Sequence, residues 1–513
     1  MRDLVKHIRQ DLPASIVVFF VAVPLCLGIA LASGAPLFSG IIAGIVGGIV
    51  VGGASGSPLG VSGPAAGLAV VVLGAIATLG GSFEAFLVAV VLAGLIQVAM
   101  GYAGFGIIAY FFPSSVIKGM LTGIGLLIII KQLPHAVGLV GGADEESLLP
   151  HGDSTFGLLG RMLQMATPAA VLVTAVALSI LIAWERWLAP RFRLFRLIPG
   201  PLAAVGVGIT MTLLMQSGAL PYVLHANQLV AIPVAKSVPD FIAQFTAPDF
   251  SVLARADVYV IAIVLAIVAS VETLLCVEAT DRLDPEKRIT PTNRELKAQG
   301  LGNIVSGLIG GLPVTQVIVR SSANIAFGAR SKLSAILHGV FILVCVIALP
   351  GLLNLIPLAT LASILLVVGY KLAKPALFTQ MYRHGWEQFT PFIATVVGIL
   401  ATDLLRGIGI GMLIGIAIIL RHRLRNPFSI SEHTPDSPEF RIQLAEEVSF
   451  LNKGRILQQL QSIPEQSHVV IDGTRSKVVD FDVLEILREF RATASARRIA
   501  VEIRGTILNP ILQ

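Results

Sequence analysis

Gly311-Leu-Pro-Val-Thr-Gln-Val-Ile-Val-Arg320-Ser-Ser-Ala-Asn324 decides the fold, because it sets an arginine, hydroxyls and amides inside an otherwise apolar chain. Pro313 opens a run that reads as extended from Leu312 to Val319, and a short helix is predicted to begin near Arg320. A helix that starts at membrane depth turns free backbone N–H groups toward a cavity, and such an end attracts anions. The first half holds a counterpart, Gly56-Ser-Pro-Leu-Gly-Val-Ser62-Gly63-Pro64-Ala65-Ala66-Gly67, where Gly and Pro again precede a long apolar run. Two interrupted segments at corresponding places in two halves are the sequence mark of a transporter's binding site.

Working outward, the 513 residues are 55% hydrophobic and 13% charged. That balance excludes a soluble protein and predicts a polytopic α-helical membrane protein. The formal net charge of +6 does not point to nucleic acid, because the basic residues sit beside apolar spans, where they set orientation. Fifty glycines suit close helix packing in lipid. Cys26, Cys276 and Cys345 all lie in apolar segments without metal-ligand or redox spacing, so neither a disulfide nor a metal site is expected. The N-terminus reads as a short interfacial helix, Met1 to Leu12, rather than a cleavable signal.

Fourteen spans are expected, each near ~20 apolar residues where uninterrupted. The first seven lie near 14–33 (kinked at Pro24), 37–53, 57–80 (broken), 83–101, 114–134, 167–186 and 197–216. The second seven lie near 257–278, 297–310, 312–328 (broken), 333–350, 354–371, 387–404 and 406–421. With a cytoplasmic N-terminus, the inside connections hold Arg186, Arg191, Arg193, Arg196, Arg282, Lys287, Arg288, Arg294, Arg330, Lys332, Lys371, Lys374 and Arg383. The outside ones hold Asp144, Glu145, Glu146, Asp153, Asp240 and Asp249. This asymmetry places both ends in the cytoplasm of a multi-pass plasma-membrane protein.

Beyond residues 1–425 the composition turns soluble, with 426–438 as linker and 439–513 as a small α/β domain. Strands are predicted at Phe440–Leu444, Ser467–Asp472 and Ile499–Ile503, with helices at Ser449–Gln461 and Asp482–Ala494.

Ionisable side chains inside spans are expensive and functional by default. Arg320 either ligates an anion at the break or pins the helix by pairing with Glu272 or with carbonyls. Glu272 either carries a coupling proton or is a fixed counter-charge. Ser62, Gly63, Ala65 and Ala66 form the opposing break, where small residues let an anion approach backbone N–H groups. Gln316, Val319 and Ser321 complete the candidate substrate contacts; Gln316 can instead hold Glu272, and Thr315, Ser321, Ser322 and Asn324 can instead bond helix backbone. His338, Lys131 and Asp403 read as packing or interface residues. No phosphate-binding loop, zinc-helix motif or nucleophile elbow is present, so no enzyme activity and no cofactor is expected.

Together these features resemble the SulP (sulfate permease) family. The likeness rests on Asp11-Leu-Pro ahead of Pro24, on Val61-Ser-Gly-Pro64, on Asn293-Arg-Glu through Gln299 and Gly302-Asn303, on Arg320, and on a C-terminal STAS-like domain. The resemblance implies seven plus seven inverted spans, a core moving against a gate, an anion between the half-helices of spans 3 and 10, and a homodimer. Arg320 matches the family's span-10 arginine, with Val319 in place of a serine beside it. Ala65 stands where some members place an aromatic, and Leu25 where many place a glutamine. Glu272 matches a span-8 acid that helps hold sodium in some members. Their nearby threonine is Cys276 here, a poor partner for a hard cation, which favours proton over sodium coupling.

The sequence thus predicts a secondary transporter of a small inorganic oxyanion, sulfate or bicarbonate. The other readings on this scaffold are a dicarboxylate–proton symporter, sodium-coupled bicarbonate uptake, or a channel-like anion conductance. Its partners are the anion, a proton or sodium, membrane lipid and a second copy of the chain, and no nucleic acid.

Overall fold

The computed structural model describes residues 7–107, 113–139, 166–192, 195, 198–234, 238–402, 404–425, 428–433, 439–448, 452–505 and 508. Met1 to Lys6, Asp144 to Glu146, Asp153, Arg193, Arg196 and Asp403 lie outside them. The chain forms two compact units, residues 1–412 and 413–513, which meet within one long helix.

The first unit is helical. α1 (Ile8–Ala32), α2 (Leu37–Ala54), a strand β1 (Ser62–Pro64), α3 (Ala66–Thr78), α4 (Phe83–Tyr102), α5 (Ser114–Ala136), α6 (Pro168–Ala183) and α7 (Gly200–Gln216) make the first half. α8 (Ala256–Leu283), α9 (Thr292–Leu308), β2 (Val314–Gln316), α10 (Ile318–Ala326), α11 (Leu333–Ala348), α12 (Leu358–Leu372), α13 (Trp386–Ala401) and α14 (Leu404–Arg425) make the second. A helix or a strand–helix break therefore lies at every expected span. Among the described residues, seven helices are long and apolar enough to cross a membrane on their own. The short breaks are not, because each spends residues on a strand.

Two local expectations are corrected. Residues 8–12 form the first turn of α1 rather than a separate interfacial helix, with Pro13 and Pro24 inside that helix. The second break turns helical at Ile318, earlier than expected, which puts Val319 and Arg320 in the first turn of α10. A single π-helical turn, Gly47–Val51, interrupts α2 beside β1.

The glycines show how the halves are built. A Cβ on Gly94 of α4 would lie 2.6 Å from the Gly300 carbonyl of α9, and one on Gly300 would lie 2.6 Å from the Gly94 carbonyl. A Cβ on Gly48 of α2 would lie 2.5 Å from the Gly339 Cα of α11. A Cβ on Gly125 of α5 would lie 2.6 Å from the Gly369 carbonyl of α12. In a seven-plus-seven repeat α2 corresponds to α9, α4 to α11 and α5 to α12. The α2–α11 and α4–α9 contacts are then equivalents, and α5–α12 maps onto itself. Backbones approach this closely only where no side chain intervenes.

The second unit carries a four-stranded sheet in the order β3 (Phe428–His433), β4 (Glu439–Leu444), β6 (His468–Asp472), β8 (Ala500–Arg504). β3 pairs antiparallel to β4, and the other pairs are parallel. A two-stranded ribbon, β5 (Glu447–Val448) with β7 (Val478–Val479), lies apart from it. Helices α15 (Lys453–Ser462) and α16 (Phe481–Ala494) bury Ile456, Leu460, Val483 and Leu487 with Val469 and Ile471 of the sheet. The segment read as linker, 426–438, contains β3, because Phe428 to His433 finds the open edge of β4 to pair with. The first helix starts at Lys453, and Ser449 lies outside the described residues.

Candidate anion site at the crossing of two broken helices

The two breaks meet. β1 and β2 pair antiparallel with Ser62 opposite Gln316, Gly63 opposite Thr315 and Pro64 opposite Val314. The Val317 N–H extends the ladder to the Val61 carbonyl at 2.9 Å. Each strand satisfies the other's backbone at membrane depth, which is the condition for irregular chain to exist there. α3 and α10 then start from the same small ribbon, with Ala65 and Val317 as their extended caps.

α9 holds this ribbon from behind. Asn303 Oδ1 accepts from the Val314 N–H at 2.6 Å, while its Nδ2 donates to the Val314 carbonyl at 3.2 Å and to Gln97 Oε1 at 2.6 Å. Gln299 Nε2 donates to Ser62 Oγ at 2.8 Å and to Glu295 Oε1 at 3.0 Å. Glu295 also accepts from Ser55 Oγ and the Gly56 N–H. Glu295, Gln299 and Asn303 repeat every four residues, so they form one buried polar face of α9.

α8 closes the other flank. The Thr273 hydroxyl accepts from the Gln316 N–H at 3.4 Å, and Gln316 Nε2 donates to Thr280 Oγ1 at 3.0 Å. Glu272 Oε1 lies against the first turn of α3, 2.5 Å from where a Cβ on Gly67 would begin, and Cys276 stands one turn further along α8. One helix face thus meets the start of both half-helices.

Arg320 is fully buried. Its Nη2 donates to Cys26 Sγ of α1 at 3.3 Å, and its Nη1 lies where a side chain on Gly63 would begin, 2.1 Å from the Cβ position. Nε and Nη1 find no partner among the described residues. No ion pair joins Arg320 to Glu272 among them, so the pairing considered from sequence is not formed. The other carboxylate oxygen of Glu272, Oε2, is likewise buried and unpartnered.

The remaining predicted residues separate into groups. Ala65 is buried at the α3 cap and Ala66 half-buried beside it. Ser62 is engaged by Gln299. Ser321 Oγ donates to the Val317 carbonyl and accepts from the Val61 N–H at 3.0 Å, so both of its usual roles are taken by the crossing. Asn324 Nδ2 donates to the Leu59 carbonyl. Gln316 Oε1 and Thr315 Oγ1 are buried and unpartnered, and Val319 is 46% exposed. His338 on α11 is fully buried; its Nδ1 bonds the Ala335 carbonyl, which leaves Nε2 an acceptor without a partner among the described residues. Lys131 is exposed. Sequence reasoning missed Gln299, Asn303, Glu295, Cys26 and Gly67; the four-residue recurrence of polar residues in α9 was the available signal for the first three.

Residues 8–395 match the Sulfate permease family. The chain belongs to the sulfate permease family. Among the family's proteins it is 27% identical to YvdB of Bacillus subtilis, named a candidate sulfate transporter, over 81% of this chain and 74% of that one. It is 24% identical to the bicarbonate transporter BicA of a Picosynechococcus species, over 88% of this chain and 77% of BicA. In fold it is similar to the transmembrane domain of a cyanobacterial BicA, with a TM-score of 0.65 at 23% identity over 80% of this chain and 98% of that domain. It also resembles the murine Solute Carrier 26 family member A9, with a TM-score of 0.78 at 16% identity over 99% of this chain and 87% of that one. This sulfate permease family member is therefore a multi-pass membrane protein.

Proposed function

We propose that the chain carries a small inorganic oxyanion, sulfate or bicarbonate, across the membrane by alternating access, together with a proton on Glu272. The observation that carries this reading is a fully buried guanidinium with no carboxylate partner among the described residues and two unpartnered nitrogens, set in the first turn of one half-helix beside the start of another. A buried charge left uncompensated costs several kcal/mol. An anion arriving at the crossing supplies the missing charge, and the α3 and α10 dipoles add to the attraction. Ala65, Ala66, Gly63 and Arg320 form the anion's surroundings, with Val319 and Gln316 at the margin; Ser62 and Ser321 hold the ribbon in shape.

Glu272 meets the crossing from α8, at the first turn of α3. Its unpartnered oxygen can hold a proton, while the other rests against Gly67. A thiol at Cys276 beside it favours a proton over sodium, a cation that prefers oxygen ligands. Residues 1–425 serve as the transport domain and 439–513 as a cytoplasmic STAS-like domain, with two copies forming a dimer. The names of the relatives, sulfate transporters and bicarbonate transporters, support the substrate class.

The test is labelled sulfate or bicarbonate uptake into proteoliposomes under separately imposed proton and sodium gradients, for wild type and Glu272→Gln. A proton gradient drives accumulation in wild type, and the variant exchanges anion without accumulating it. Sodium-driven uptake, or a variant that accumulates like wild type, refutes the assignment.

A further inference from the structure

At the crossing the cation and the carboxylate each rest against a glycine. A Cβ on Gly63 would sit 2.1 Å from Arg320 Nη1, and a Cβ on Gly67 would sit 2.5 Å from Glu272 Oε1. Both contacts are with the far end of a flexible side chain. By contrast, a Cβ on Gly47 would strike the Ser62 carbonyl at 2.4 Å, and one on Gly48 the Gly339 backbone. Gly47 and Gly48 therefore serve helix packing. Gly63 and Gly67 are seats for charged groups, one in the last turn of extended chain before α3, the other in its first helical turn.

We propose that Gly63 and Gly67 are positioning residues: they hold the Arg320 guanidinium and the Glu272 carboxylate at opposite ends of the break, so that the two do not neutralise each other. This inference rests on the anion–proton reading above. The unpartnered Arg320 Nε and Nη1 and Glu272 Oε2 are the second observation behind it, since a pair in contact would satisfy both. Arg320 leans on Gly63 toward α1 and Cys26; Glu272 leans on Gly67 toward α3. The other charged groups on elements packed against α8 are Glu84 at the start of α4 and Arg294, Glu295 and Lys297 in the first turns of α9; α3, β2 and the short turn Phe250–Ala254 carry none, and α10 carries only Arg320 itself. On α8 itself, Asp257, Glu278, Asp281 and Arg282 lie toward its ends, and Cys276 is one turn away. None of these forms a hydrogen bond or ion pair with Glu272 among the described residues. Each of the site's two charges thus rests on its own glycine. A methyl group at Gly63 pushes the guanidinium out of its place, and a methyl group at Gly67 displaces the carboxylate.

Two measurements on the full-length protein test this independently. In labelled-sulfate uptake, with labelled bicarbonate as the alternative probe, Gly63→Ala raises KM about ten-fold or more, the size of one lost charge-assisted contact, and leaves the pH midpoint of uptake in place. Gly67→Ala moves the pH midpoint and changes KM far less. Identical effects of the two variants on both quantities overturn the proposal. The second measurement needs no transport: melting temperatures in detergent for Gly63→Ala alone and with Arg320→Ala, and for Gly67→Ala alone and with Glu272→Ala. The glycine substitution lowers the melting temperature in the wild-type background and not once its charged neighbour is truncated, while Gly48→Ala costs the same in every background. Equal costs of Gly63→Ala with and without Arg320 overturn the seating role even if sulfate and bicarbonate both fail as substrates.

Discussion

Replacing Arg320 by methionine should make the protein more stable and nearly inactive. The guanidinium is fully buried and, among the described residues, has a single weak acceptor, the Cys26 sulfur at 3.3 Å, with Nε and Nη1 unused. Methionine fills a similar volume with a flexible apolar chain. Replacing buried charged groups by apolar residues of like volume is often stabilising by about 1–4 kcal/mol. The Arg320→Met variant should therefore melt a few degrees higher in detergent. The same charge attracts the anion: at contact distance and an effective dielectric near 20, a unit pair contributes about 4 kcal/mol. That is nearly three orders of magnitude in affinity, so uptake should fall to background at sulfate concentrations that saturate wild type. The assay is paired, thermal unfolding by intrinsic fluorescence and proteoliposome uptake on one preparation. A variant that melts lower while keeping KM within about three-fold would show that Arg320 is a structural pin, with its charge compensated in a way the crossing does not display.

Asn303→Leu removes both bonds to Val314 and the bond to Gln97, leaving a buried backbone N–H unpaired; it should cost at least about 2 kcal/mol, read as a lower melting temperature, and lower maximal uptake more than it changes KM. Asp11 accepts from the Arg330 and Ser331 N–H groups in the turn ahead of α11, so Asp11→Ala should destabilise the protein, with accelerated hydrogen exchange at residues 330–336 as the check. In the second unit, the Arg441 guanidinium and then the Thr474 hydroxyl and N–H hold the Asp472 carboxyl down at about 2. Because this folded value lies below the unfolded one, the stabilisation is complete above the ordinary carboxylate range and is lost as pH falls toward about 2. Hydrogen exchange across β6 between pH 5 and 2 should show that loss, and Arg441→Leu, which removes its main cause, should make the loss smaller.

Much of this was legible in the chain because membrane chemistry is severe. Lipid allows only satisfied backbone, so Gly and Pro at 56–67 and 311–313 inside apolar runs announce a special arrangement, and the boundaries of the uninterrupted helices follow from where the apolar runs stop. The strand β3 was not legible, because 428–433 is polar and short, and its pairing depends on an edge that β4 offers only once folded. The early start of α10 has the same origin: the β1–β2 ladder ends at Val317, and the chain turns helical where that ladder can no longer bond it.

The sequence by itself determined that this is a many-span membrane protein with two interrupted helices, an arginine at one of them and an acid on span 8. Composition and punctuation are local properties, and lipid enforces them residue by residue. Only the tertiary structure decided what those groups face. Arg320 turns to Gly63 and Cys26 instead of to Glu272, Ser62 and Ser321 turn inward to hold the ribbon, and α9 presents Glu295, Gln299 and Asn303 to the breaks. Each choice of partner depends on which helices the seven-plus-seven arrangement brings within hydrogen-bond reach, and residues more than 200 positions apart carry no local signal of that meeting.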